Sequence, residues 1–113
     1  MSAGSIEAIE RLLAESADAD EVLRRTVEAL VAEPAIAWAG LAFVEGDTMT
    51  LGPAAGTADE SRRTRVPVAF QAAVVGELRV DGDVDRASLE HVASLIAPHV
   101  LIGWDTGGEG WEP

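Results

Sequence analysis

Residues 63–83, RTRVPVAFQAAVVGELRVDGD, restrict the fold more than any other stretch of the chain. Val66, Val68 and Phe70 alternate with Arg65, Pro67 and Ala69; Val74, Gly76, Leu78 and Val80 alternate with Val75, Glu77, Arg79 and Asp81. Side chains on a strand point to opposite faces with a period of two, so each run offers an apolar face to a core. The pattern predicts two adjacent antiparallel strands joined at Gln71 and Ala72, without the Asn-Gly or Asp-Gly pair of the tightest hairpins. Arg79 and Val80 then lead into a polar turn at Asp81-Gly82-Asp83.

The segments on either side extend this pair into a sheet with helices. Ser5 can cap a helix whose Ile6, Ile9, Leu12 and Leu13 share one stripe, with Glu7, Glu10 and Arg11 outside it. Asp18 and Glu21 have capping-box spacing for a second helix, in which Val22, Leu23, Val27, Leu30 and Val31 recur and which Pro34 ends. Ile36 to Val44, IAWAGLAFV, has no polar face and predicts a central strand covered on both sides. Strict alternation puts Ala37, Ala39, Leu41 and Phe43 on one side, Ile36, Trp38, Gly40, Ala42 and Val44 on the other. Glu45-Gly46-Asp47 supplies a turn, Thr48 to Leu51 returns as a shorter strand with Met49 and Leu51 inward, and Gly52 to Arg62 reads as a long binding-competent loop. Asp85 can cap a last helix with Leu89, Val92, Ala93, Ile96 and Val100 inward, kinked or split at Pro98. Residues 1–103 thus form one domain, and residues 104–113 a Gly-rich tail. The order is an α+β arrangement with an antiparallel sheet and helices on one face.

Composition removes several classes of function. The chain has 113 residues and no cysteine, which excludes disulfides, thiolate catalysis and Cys-based zinc sites. Twenty acidic residues against 8 basic ones, all arginine, give a net charge of −12. Repulsion from phosphates argues against nucleic acid or an anionic membrane as partner. No apolar run approaches the ~20 residues that cross a bilayer, and the N-terminus lacks a secretory pattern, so the expected location is the cytoplasm.

The VPV of Val66 to Val68, the VVGELRV of Val74 to Val80 and the closing LEHVASLIAPHV of Leu89 to Val100, in this element order, resemble the GAF domain family from Asp18 to Val100. The resemblance implies a profilin-like α+β fold and a small-molecule-sensing or regulatory module, often dimeric through its terminal helices. Members bind cyclic nucleotides, tetrapyrroles, haem or amino acids. Two departures stand out: the chain is short between the first hairpin and VPV, where others carry the pocket's roof, and it has no effector domain. GAF-like reductases of free methionine sulfoxide depend on cysteines, and so does covalent bilin attachment, so both chemistries are excluded here.

Candidate sites are few. If the sheet face beneath residues 52–62 holds a pocket, Trp38 lines it together with Phe43, Phe70 or Trp104, and Arg65 is the anion partner. Trp38 can equally plug the space a longer relative gives to its ligand. Asp105-Thr106-Gly107 matches an aspartic-protease triplet, but only six residues follow it, too few for the strands and flap such an enzyme needs. His91 and His99, eight apart, have no third ligand and read as surface or capping residues. Ser88 and Ser94 lack a partner base, and without lysine no P-loop exists. Trp104 and Trp111 can anchor the tail or a partner. The expectation is a non-catalytic sensing module without metal or cofactor, in a homodimer through the terminal helices. The alternative is an interaction or adaptor module with its pocket filled, which a roadblock-like or other profilin-like fold would also serve. A small enzyme has the least support. A cavity beside Trp38 separates sensor from adaptor.

Overall fold

The structure, a computed structural model, describes residues 3–15, 19–45 and 47–107. The elements are α1 (Ala3–Glu15), α2 (Ala19–Val31), β1 (Ile36–Glu45), β2 (Thr48–Gly56), a 3-10 turn at Glu60–Arg62, β3 (Arg63–Phe70), β4 (Ala73–Gly82) and α3 (Arg86–Gly107). The four strands form one antiparallel sheet in the order β2-β1-β4-β3. The expected α+β architecture is present. The β3–β4 hairpin turns at Gln71 and Ala72, and Val66, Val68, Leu78 and Val80 are fully buried.

The helices pack on one face. α2 lies against β1 and β2, α3 against β3 and β4, and α1 against α2 and α3. Their apolar stripes meet the sheet as the periodicity requires: Ile9, Leu23, Val27, Leu30, Leu89, Val92, Ile96 and Val100 join Leu41, Phe43, Leu78 and Val80 in one core. Thr26, the buried polar residue of α2, returns its hydroxyl to the Val22 carbonyl at 2.7 Å and so leaves no unmet donor.

The helix termini differ from expectation in part. α1 begins at Ala3, two residues before Ser5, so Ser5 is inside the helix rather than its cap. Asp18 of the proposed capping box, and Gly46 of the first turn, lie outside the described residues. Asp85 does cap α3, its carboxylate accepting from the Ser88 amide at 2.9 Å and from the Ser88 hydroxyl. These bonds hold the Asp85 carboxyl below the ordinary carboxylate range, the hydroxyl contributing most. Pro98 does not divide α3, which runs unbroken to Gly107. Residues 104–107, assigned by composition to the tail, are therefore helical.

Three strand assignments also change, and Met49 and Leu51, expected inward, are exposed because they lie on the face of β2 away from the helices. Gly52 to Gly56 is not loop but the second half of β2, which leaves a connection of only residues 57–62. β2 is an edge strand, where Pro53 and two glycines interrupt no ladder on the outer side, and it shifts register once opposite Gly40 and Ala42. In β1 a shift between Ile36 and Trp38 breaks strict alternation. Ile36 consequently joins Ala39, Leu41 and Phe43 in the core while Ala37 is exposed. Asp81, expected in a turn, is instead a fully buried residue within β4. The chain turns after Gly82, whose φ of +145° and approach to the Ala35 carbonyl leave no room for a Cβ.

The β3–β4 turn places two ordinary residues at positive φ, Gln71 at 52° and Ala72 at 67°. That is the backbone of a type I′ turn, normally Asn-Gly. Left-handed backbone costs an L-residue roughly 1–2 kcal/mol. The double substitution Gln71→Asn, Ala72→Gly is therefore expected to stabilise the protein by about 1 kcal/mol after glycine's entropic penalty. Urea denaturation checks it: a higher midpoint is expected, and a lower one would contradict the turn.

Candidate functional site

With the helices on one side, the other face of the sheet is formed by strand side chains alone. The register places four rows across it in the order β2-β1-β4-β3. Gly56, Trp38, Asp81 and Arg63 form one row; Ala54, Gly40, Arg79 and Arg65 the next. Leu51, Ala42, Glu77 and Pro67 follow, and then Met49 opposite Val44. This open face is apolar on its β1–β2 half and charged on its β4–β3 half.

Trp38 is the largest feature of this face. Its six-membered ring lies over Gly40: a Cβ there would fall 2.5 Å from Trp38 Cη2, with Leu51 Cδ1 at 3.3 Å. Only glycine lets the indole lie this close to the strand. The Arg63 guanidinium carbon sits 4.4 Å from the ring centroid, a cation–π contact that leaves Trp38 only 8% exposed. Trp38 therefore covers the sheet, as the plugging alternative required.

Beside it is a polar network that the sequence did not reveal. Asp81 is fully buried and accepts three hydrogen bonds: from Arg63 Nε at 2.6 Å, from Arg63 Nη2 at 2.9 Å and from the Asp59 amide at 2.6 Å. The fork of Arg63 meets the carboxylate with two parallel bonds, the strongest geometry such a pair has. Its hydrogen bonds outweigh desolvation and hold the Asp81 carboxyl below its ordinary range, while the same bond raises Arg63. The amide of Asp59 fastens the connection of residues 57–62 to β4. The signal was available in principle, since Arg63 and Asp81 flank the same hairpin. A register shift between Val68 and Ala69, invisible in the sequence, decides that they face each other.

Arg65 and Arg79 are opposite one another in the next row. Arg79 Nε donates to Glu77 Oε1 at 2.6 Å. Arg65 is exposed and makes no ion pair among the described residues; its backbone carbonyl accepts from Arg86 on α3 at 3.1 Å. Of the expected site residues, Trp38 and Arg65 thus share the open face. Phe43 and Phe70 do not: Phe43 is fully buried in the core on the helical side, and Phe70 packs against that core. Alternation carries each to the face opposite Trp38, so neither can line a site with it. The side chain of Trp104 and all of Trp111 lie outside the described residues.

Elsewhere, the described residues hold no group of three potential metal ligands. His91 is exposed; His99 is half-buried, its Nδ1 without a hydrogen bond, and burial lowers its pKa. Ser88 belongs to the α3 cap, and the Ser94 hydroxyl donates to the His91 carbonyl. An open cavity of about 380 Å³ lies between α1 and α2, lined by Ala8, Arg11, Leu12, Arg25, Glu28 and Ala29. No described helix is long and apolar enough to cross a membrane.

No family model matches the chain, and no curated protein matches it by sequence. Solved structures match it in three dimensions. The GAF domain of an Acinetobacter phosphoenolpyruvate-protein phosphotransferase superposes with a TM-score of 0.71 over 96% of this chain and 99% of its own, at 13% identity. The fold is that of a GAF domain. A GAF sensor protein described as putative, from Burkholderia vietnamiensis, gives a TM-score of 0.65 over 95% of this chain and 97% of its own, at 15% identity. The free methionine-R-sulfoxide reductase of Neisseria meningitidis, in complex with its substrate, gives 0.70 over 94% and 95%, at 15%.

These neighbours overturn one expectation. Reductases from Neisseria meningitidis, Staphylococcus aureus and Thermoplasma acidophilum share the architecture, so a GAF-like fold does not itself exclude an enzyme. The exclusion of catalysis drawn from residue spacing is withdrawn. The chain's lack of cysteine still means that chemistry here would use other groups.

Breaking the buried pair is expected to be costly. Asp81→Asn leaves Arg63, itself only 11% exposed, without its counter-ion and lowers stability by about 3–5 kcal/mol at neutral pH. A carboxyl whose folded pKa is depressed stabilises fully above its unfolded value of about 4, and that contribution is lost as pH falls toward the folded value. Denaturation from about pH 6 to about pH 2 should therefore show a shallower acid loss in Asp81→Asn than in the wild type. Parallel curves would contradict the assignment.

Proposed function

We propose that this chain is a small-molecule-sensing, regulatory GAF-like module whose ligand lies on the open face of the sheet, beside Trp38 and with Arg65 as its anion contact. The observation that carries the reading is the one-sided architecture: three helices cover one face, and the other presents exposed Leu51 and Met49 beside the Arg63-covered Trp38, and in Arg65 a guanidinium with no ion pair among the described residues. Leu51 and Met49 are 46% and 39% exposed, unusual for large apolar side chains placed side by side on a strand. The neighbours support the reading by analogy, since one is called a GAF sensor and reductases of the same fold were solved with a free amino-acid derivative as substrate. A cytoplasmic location and pairing through the terminal helices belong to the proposal. The outward residues Glu7, Glu10, Arg11, Glu21, Arg25 and Glu28 would make such a helical interface a charged one.

A second reading is favoured by Trp38 itself. Its ring fills the space above Gly40 that a ligand would otherwise take, which suits an interaction module whose pocket is occupied by its own side chains.

Thermal unfolding against nucleotides, amino acids and metabolite acids, with sedimentation for oligomeric state, separates the two. A ligand binding only the folded chain adds about 2.7 kcal/mol at a hundredfold excess over Kd. The expected result is a shift for at least one class, lost in Arg65→Ala. A flat response across the panel together with a tight dimer would favour the interaction module. Mixtures that give a shift are also examined for products, because the fold is shared with enzymes.

A further inference from the structure

The open face has a charge pattern that specifies what it can hold, and the inference rests on the open-face reading above. Arg65 and Arg79 occupy directly opposite positions on β3 and β4. Like charges so placed destabilise a sheet. Glu77 neutralises Arg79 through its Nε, and Asp81 neutralises Arg63, leaving Arg65 as the cation of the face without an ion pair among the described residues. Such a site stands out in a chain whose net charge is −12. The other half contributes apolar side chains: the Trp38 ring, covered by Arg63, overlies Gly40, the register partner of Arg79, and the exposed Leu51 leans on the same glycine.

We infer that the open face binds a small apolar acid, one carboxylate seated between Arg65 and Arg79 and a hydrocarbon or aromatic body lying over Ala42 and the exposed Leu51, alongside Trp38, whose own ring is covered by Arg63. The planar guanidinium fork suits a carboxylate bidentately, and Arg79 keeps its terminal N–H groups while Nε serves Glu77. Neighbouring strands are about 4.8 Å apart, so β2 with Leu51 lies roughly 10 Å from β4 with Arg79. That distance suits a body of roughly six carbons. A second negative charge on the ligand would meet Glu77 and the acidic surface, so the charge complement is one.

The test is nuclear magnetic resonance of the intact chain, following the Trp38 indole N–H and the Arg65 and Arg79 Nε–H signals. The probes are phenylacetate and hexanoate, with phenylacetamide as neutral counterpart and inorganic phosphate as the anion without a body. The expected result is that the acids move all three signals and phenylacetate binds about tenfold or more tightly than its amide, the range of a charged hydrogen bond. Arg65→Gln, at an exposed position, should keep the thermal midpoint and bring the acid-to-amide ratio to about one. Equal binding of amide and acid would overturn the acid and leave the open-face reading standing. Phosphate matching phenylacetate would overturn the apolar body. If no probe moves the three signals the inference fails, and the broader thermal panel then decides whether the reading fails with it.

Discussion

The buried carboxylate of Asp81 is the constraint on which the open side of this molecule depends. An ionised group removed from water must find its hydrogen bonds inside the protein, and Asp81 takes three. Together they tie down two parts of the chain. Two hold Arg63 at the head of β3, and one holds the amide of Asp59 in the short connection from β2. Arg63, once fixed, lies against the Trp38 ring on β1. A single carboxylate on β4 therefore orders one end of the open face across three strands.

The helical face obeys a simpler rule. Apolar residues at helical spacing in α1, α2 and α3 cover the alternating residues of β1, β3 and β4, and burial there is nearly complete. Because that side is settled by area, its constituents were legible in the sequence: Val66, Val68, Leu78, Val80, Leu89 and Ile96 are where alternation and periodicity put them. Polar contacts carry no such periodicity. Whether Arg63 meets Asp81 or a neighbour depends on one register shift at Val68 and Ala69, and whether Ile36 faces the core depends on another beside Ala37. An irregularity of a single residue exchanges the two faces of everything beyond it.

The same limit explains the candidate site. Trp38 and Arg65 stand out in the sequence by residue type, and the rows of the sheet bring them to one face. Phe43 and Phe70 were grouped with them for being aromatic, which fixes no side of a strand; the pleat sends both to the core. Arg79 and Glu77 are absent from that expectation because they are ordinary solvent-facing charges until the register sets Arg79 opposite Arg65. The extent of β2 was hidden for a related reason. Gly, Pro and Ala signal loop by composition, yet on an edge strand they need pair on one side only.

Both edges of the sheet bear on why the open face rather than an edge is the available surface. Pro53 lies on the β2 edge and Pro67 on the β3 edge, where each removes a donor from the outer row. The Arg65 carbonyl on the β3 edge is already taken by Arg86. An added strand would find both edges short of partners, a protection edge strands commonly need. The open face has no equivalent guard. Its apolar half remains accessible at Leu51 and Met49, and Arg65, without an ion pair among the described residues, sits where strand pairing alone disfavours it. A bound anion would relieve that like-charge opposition, and this is the physical ground for proposing that recognition uses the open face rather than an edge or the helical side.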